Sequence, residues 1–262
     1  MPVLALTNTM RCFTQLCVLV AAMIVNGSVN HAHGTDIKRQ HAHIAVASNF
    51  IKPMTLLAQD FENKSGHTLT ISYASSGKIY AQIIHGAPFD VFLSADQEKP
   101  KQLAEKQLIH SNFHITYAIG KLVLWSNTVG HESPIERLQS NQYSKLALAN
   151  PKFAPYGQAA VAVLDKLAIK EKSRPKWVLG ESISQAYQFV ASGNAEIGFI
   201  AKSQLPKQGA FSTIDQTLHP AIRQDAVLLK RAMNNKSAMA FFEYLQSNDA
   251  KKIIQSFDYD TE

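Results

Sequence analysis

Hydroxyls and main-chain N–H groups at two strand-to-helix turns are the chemically capable groups of this chain: Ala47-Ser48-Asn49-Phe50 and Ala74-Ser75-Ser76-Gly77-Lys78. Each turn follows a strand-like stretch and opens a helix-like one. His43-Ile44-Ala45-Val46-Ala47 reads as the first strand. Leu69-Thr70-Ile71-Ser72-Tyr73 reads as the second, alternating apolar and polar residues as a half-buried strand does. A hydroxyl at such a turn lies beside the unpaired N–H groups and positive dipole end of the helix it opens. Two such turns facing each other form a neutral, strongly donating pocket for an anion. Taken singly, each reads as ordinary N-capping, and neither names a ligand.

Other chemistries fit less well. Ser75-Ser76-Gly77-Lys78 matches the S-x-x-K signature of penicillin-recognising serine enzymes, but S-D-N is absent and the lone K-[ST]-G, Lys64-Ser65-Gly66, lies upstream of the would-be nucleophile. A P-loop fails too, since Ile79 stands where its hydroxyl residue belongs. Lys78 is read as a solvated or cleft-rim charge that adds to an anion-attracting field. His31, His33, His41 and His43 could attract a transition metal, but two of them precede any regular structure and the group reads as a loose terminus feeding the first strand. Asp90 and Asp96 bracket a buried-looking strand and are expected to make structural hydrogen bonds. Trp125 and Trp177 are expected in the core.

The elements that position these turns alternate strand and helix, which argues for α/β layers with mostly parallel sheet. After Asn49, Pro53 suits a first helical turn; Met54, Leu57, Ala58 and Phe61 share a face, and Ser65-Gly66 ends that helix. Further strands are expected at 90–94, 113–119, 122–126, 146–149, 177–179, 196–200 and 226–229. Helices are expected at 79–84, 98–107, 157–168, 184–192, 236–246 and 249–256, and 127–143 reads as a polar connection. The order fits two α/β lobes, 41–120 with 220–262 and 121–219, the chain crossing near 120 and again near 220.

The remaining bounds concern address and charge. Arg11 precedes an apolar run, Cys12 to Val25, too short to cross a bilayer comfortably and followed by Asn26-Gly27-Ser28. This is the layout of a secretory signal peptide over 1–30, cleaved between Gly27 and Ala32. Both cysteines, Cys12 and Cys17, fall inside it, so the exported chain lacks thiols and points to a bacterial periplasm or cell surface. The 262-residue chain is 46% hydrophobic, enough for a core without disulfides. Its net charge of +6 is spread out rather than clustered, which argues against nucleic-acid binding.

From about Ile44 to Phe257 the chain resembles the periplasmic molybdate-binding proteins of ABC importers. The most specific stretch is Gly86-Ala87-Pro88-Phe89-Asp90-Val91-Phe92-Leu93-Ser94-Ala95-Asp96-Gln97. Also similar are Ala45 to Phe50, Ala74 to Lys78, Asn150-Pro151 with Ala154-Pro155-Tyr156-Gly157, and Glu181-Ser182-Ile183. The resemblance implies a two-lobed, type II periplasmic binding protein fold with mixed sheets flanked by helices. It implies a non-enzymatic monomer that holds molybdate or tungstate in the cleft and hands it to a membrane permease driven by an ATPase, with no cofactor. The family's ligand contacts fall on Ser48 and Ser76 through hydroxyl and N–H, and on Tyr156 and Ile183 through N–H. Some members add a tyrosine hydroxyl where this chain has Ala201; Tyr156 and Asn49 are the expected replacements. Another oxyanion such as sulfate, or a sensor role on the same scaffold, are the alternatives.

Overall fold

A computed structural model describes residues 40–262. The expected leader at 1–30 with both cysteines, and also His31 and His33, lie outside the described residues. β1 (His41–Ala47) and β2 (Thr68–Ala74) pair in parallel, from His41 opposite Thr68 to Ala47 opposite Ala74. The two strands end level, which brings Ser48 and Ser75 to one edge of the sheet. β3 (Val91–Leu93) lies on the other side of β1, also parallel. Beyond it, β10 (Ile222–Leu229) runs antiparallel both to β3 and to β4 (Ile109–Gly120), giving the order β2-β1-β3-β10-β4.

The second sheet comprises β5 (Leu122–Ser126), β6 (Leu146–Ala149), β7 (Trp177–Gly180), β8 (Ile197–Ala201) and β9 (Ala210–Thr213), in the order β7-β6-β8-β5-β9. β6 is parallel to β7 and β8, whereas β5 is antiparallel to β8 and β9. The sheets are therefore mixed, where strand–helix alternation alone predicts mostly parallel ones. The antiparallel members are the strands that receive the chain from the other sheet, β5 after β4 and β10 after β9.

The helices are α1 (Ile51–Ser65), α2 (Ser76–Ile84), α3 (Glu98–Glu105), α4 (Pro134–Ser140), α5 (Pro155–Lys166), α6 (Lys170–Ser173), α7 (Ile183–Ala191), α8 (Lys236–Tyr244) and α9 (Asn248–Gln255). A short 3-10 turn, Ser48–Phe50, leads from β1 into α1. α1 buries Met54, Leu57, Ala58 and Phe61 and stops at Gly66, whose φ of 70° is easy for glycine. Phe50, Met54 and Leu57 are wholly buried, each contributing about 1.5–3 kcal/mol of apolar burial. The first sheet is covered on both faces, by a cluster around Met54, Phe61 and Phe241 and by another around Ile79, Phe92 and Leu103. Residues 44–47 are consequently buried in succession rather than alternately. β2, at the sheet edge, keeps the half-buried pattern read from its sequence.

Three elements were not expected. α4 and α6 lie in polar or charged stretches, and β9 is a four-residue edge strand. β10 also begins at Ile222, four residues before the expected start, so that it pairs with β4 as far as Gly120. Trp125 is in the core, stacked on Tyr187, while Trp177 packs half-buried at its edge.

Candidate anion-binding site

Four chain segments begin their helical turns around one small cavity, about 10 Å³ in volume. Ser48 and Asn49 open the 3-10 turn after β1, and Ser76 opens α2 after β2. From the second sheet, Tyr156 follows Pro155 at the start of α5, and Ile183 opens α7. First-turn N–H groups have no acceptor within their own helix, so these positions present main-chain donors together with the positive ends of the helix dipoles. Ala47, Ser75, Ala95, Ala154 and Pro155 complete the lining. Ser48, Asn49, Ser75, Ser76, Tyr156 and Ile183 are each no more than 5% exposed, so the walls close on one another. Among the described residues, no charged side chain is in the lining. The arrangement can desolvate an anion and repay it in hydrogen bonds from neutral donors.

Ser76 is set up as a donor. Its Oγ accepts the Ala95 N–H at 2.9 Å, which occupies an oxygen lone pair and leaves the hydroxyl hydrogen for another partner. Asn49, expected as one replacement for the missing tyrosine donor, also lines the cavity. Both Nδ2 hydrogens are engaged, one by Gln224 Oε1 at 2.7 Å and one by Tyr259 OH at 2.9 Å, leaving the main-chain N–H to face an anion. Tyr156 shows the same turn away from the cavity. Its hydroxyl accepts from Gln224 Nε2 at 3.4 Å and sits so close to Gly120 that a Cβ there would lie 2.1 Å from it. In this structure the hydroxyl takes a place in the hub under the site, and the N–H at the start of α5 is a further donor able to meet an anion. Ala201 is fully buried at the end of β8 and does not reach the cavity lining.

Beneath the cavity these side chains join a buried hub that sequence reading missed. Tyr117 OH has two acceptors within reach of its single hydrogen, Gln224 Oε1 at 3.2 Å and the Ser94 carbonyl at 3.1 Å. Tyr259 OH and Ser203 Oγ both donate to the Asn49 carbonyl at 3.0 Å. Burial pushes the Tyr117 and Tyr156 hydroxyls well above the usual tyrosine range, and raises Tyr259 too. All three stay protonated near neutral pH, so the hub places no phenolate beneath an anion. Its partners lie 175 and 210 residues apart in sequence, and no local pattern announces them.

The two walls also touch directly. Gly77 N–H donates to the Phe153 carbonyl at 2.8 Å, and Ser184 Oγ donates to the Ser48 carbonyl at 2.9 Å. Lys78 forms an ion pair with Glu181 across the cleft mouth, so its charge is balanced rather than left free to attract an anion. This pairing also removes the serine-enzyme geometry, because Lys78 turns to Glu181 while Ser75 Oγ has no hydrogen-bond partner among the described residues. Asp90 accepts from the His43 N–H, Arg231 and Asn235, and Asp96 accepts from Ser94 and the Lys99 N–H, the structural roles expected of them. His41 and His43 bond to Thr70 and Ser72 on the neighbouring strand.

Residues 42–260 match the family of bacterial extracellular solute-binding proteins. The chain is 44% identical over 220 residues to the molybdate-binding protein ModA of Rhodobacter capsulatus, spanning 83% of this chain and 87% of that one. It is 43% identical over 222 residues to a ModA of Azotobacter vinelandii, spanning 82% and 88%. Among solved structures, the Azotobacter vinelandii periplasmic molybdate-binding protein superposes with a TM-score of 0.81 at 34% identity, over 84% of this chain and 99% of that one.

Proposed function

Since this chain belongs to the bacterial extracellular solute-binding proteins, we propose that it is the periplasmic receptor of an importer for molybdate or tungstate. The observation that carries the reading is the closed, uncharged cavity at which helix starts from both sheets converge. The relatives named for molybdate support the choice of ligand. In this reading 41–120 with 220–262 and 121–219 act as two lobes that part for ligand entry and close by hinge motion. Ser48, Asn49, Ser76, Tyr156 and Ile183 hold the oxyanion. A leader over 1–30 delivers the protein to the periplasm, where it works as a monomer. It passes the anion to a membrane permease and its ATPase, without cofactor and without catalysing a reaction.

The donor set favours a fully ionised anion. Hydrogen phosphate carries an O–H that needs an acceptor, and among the described residues no carboxylate lines the cavity, so that proton would be left unpaired. Calorimetric titration at pH 7 tests the reading: molybdate and tungstate bind most tightly, sulfate more weakly and phosphate weakest. Phosphate binding as tightly as molybdate would overturn it.

A further inference from the structure

Ser75 accepts the Ile79 N–H through its carbonyl, but its side chain makes no hydrogen bond among the described residues. It occupies the N-cap of α2 with extended backbone angles, φ −70° and ψ 150°, where a serine oxygen ordinarily accepts a first-turn N–H. Here the side chain makes no capping bond. One first-turn donor it would serve, the Gly77 N–H, is taken by the Phe153 carbonyl from the opposite wall. Ser75 is nevertheless 3% exposed, and its Oγ has no hydrogen-bond partner among the described residues. An orphaned buried hydroxyl lowers stability, so a fold that keeps one calls for a reason.

Its position supplies the reason. Ser75 borders the closed cavity beside Ser48 and Ser76. It also borders the outer groove lined by Tyr73, Lys78, Glu181 and Gln185. Among the residues lining these two spaces it is the one they share, so an anion moving from groove to cavity passes it. The neighbouring hydroxyl of Ser76 is already oriented by Ala95, whereas that of Ser75 is free to turn. We propose that the Ser75 hydroxyl is a further donor to the bound oxyanion, satisfied when the ligand arrives. A hydroxyl without a prior partner gives up no protein bond on binding, so its whole hydrogen bond to the dianion counts toward affinity.

This inference rests on the oxyanion reading above, and the test separates the two. Ser75→Ala is compared with the wild-type protein by calorimetry against molybdate and by thermal melting without ligand. The expected result is a Kd for molybdate raised about ten- to a hundredfold, the measure of a lost charge-assisted hydrogen bond. The ligand-free melting temperature stays the same or rises, because an unsatisfied hydroxyl has gone. A merely structural serine gives the reverse pattern, lower melting with unchanged affinity, and that result overturns the proposal. Tight wild-type binding with an unaltered Ser75→Ala Kd overturns this inference alone. A wild-type protein that binds no oxyanion overturns it together with the reading beneath it.

Discussion

On the wall built from the first sheet, the cavity is lined by the hydroxyl-bearing Ser48, Ser75 and Ser76; on the wall built from the second, it is lined by Tyr156 and Ile183 at their helix starts, beside Ala154 and Pro155. Tyr156 has a hydroxyl, but it is turned into the hub at Gln224. The walls therefore differ in how they can be altered. A hydroxyl donor disappears with one atom, while a main-chain donor is lost only if its helix start moves. In the proposed site, affinity on the first wall is exposed to point substitution; on the second it is a property of the backbone. Substitutions that respect or violate this division are the way to break it.

Ser76→Ala carries the largest expected effect, because Ser76 serves both ligand and fold. Losing its donated bond to a dianion removes about 1.5–3 kcal/mol, a ten- to hundredfold rise in Kd. The change also strands the buried Ala95 N–H, whose partner is Ser76 Oγ, at a further cost of about 1–3 kcal/mol to stability. In a domain of this size each kcal/mol corresponds to about 2–4 °C of melting temperature. Calorimetry and melting together should show both losses. An unchanged Kd would mean that the anion lies away from the hydroxyl wall.

Closure itself is probed by Gly77→Ala. A Cβ at this position would lie 2.9 Å from the Phe153 carbonyl oxygen and 3.0 Å from its Cα, both main-chain atoms that cannot rotate aside. The crowding arises only when the walls meet. Its cost, about 1 kcal/mol at the low end for overpacking, falls on the closed state. Molybdate should bind about fivefold more weakly, while melting without ligand changes little. A melting temperature that drops with no change in Kd would show that the walls stay together in the absence of ligand.

How much of this was readable in advance follows from the range of each interaction. The strand-to-helix turns at Ser48 and Ser76 are local patterns, and the level ends of β1 and β2 bring them together as the sequence suggested. α4 had a readable start as well. Ser133, Pro134 and Glu136 form a capping box with proline in the first turn, a signal hidden by the polar run that follows. Side-chain direction was another matter. The family resemblance made Asn49 and Tyr156 candidates for the donor missing at Ala201, and their side chains turn to Gln224 and Tyr259, which reach them from the far end of the chain. Lys78 likewise looked free until Glu181, from the other wall, took its charge.

Tyr156→Phe gives the smallest expected change in affinity and the sharpest test of the two-wall contrast. Read from the family resemblance, the hydroxyl replaces the donor lost at Ala201, and its removal would weaken binding ten- to a hundredfold. Read from the structure, it accepts from Gln224 Nε2 and crowds Gly120, a place set by the hub beneath the cavity. Burial holds it protonated, so deleting it removes a neutral hydrogen bond worth about 0.5–1.5 kcal/mol to the fold. The N–H at 156, fixed by the start of α5 behind Pro155, is untouched by the change. The expected outcome is a melting temperature lower by a few degrees and a molybdate Kd within about threefold of wild type. A hundredfold loss of affinity at unchanged melting temperature would mean that the hydroxyl leaves Gln224 for the anion. The second wall would then bind through a side chain as the first does, and the division between them would fall.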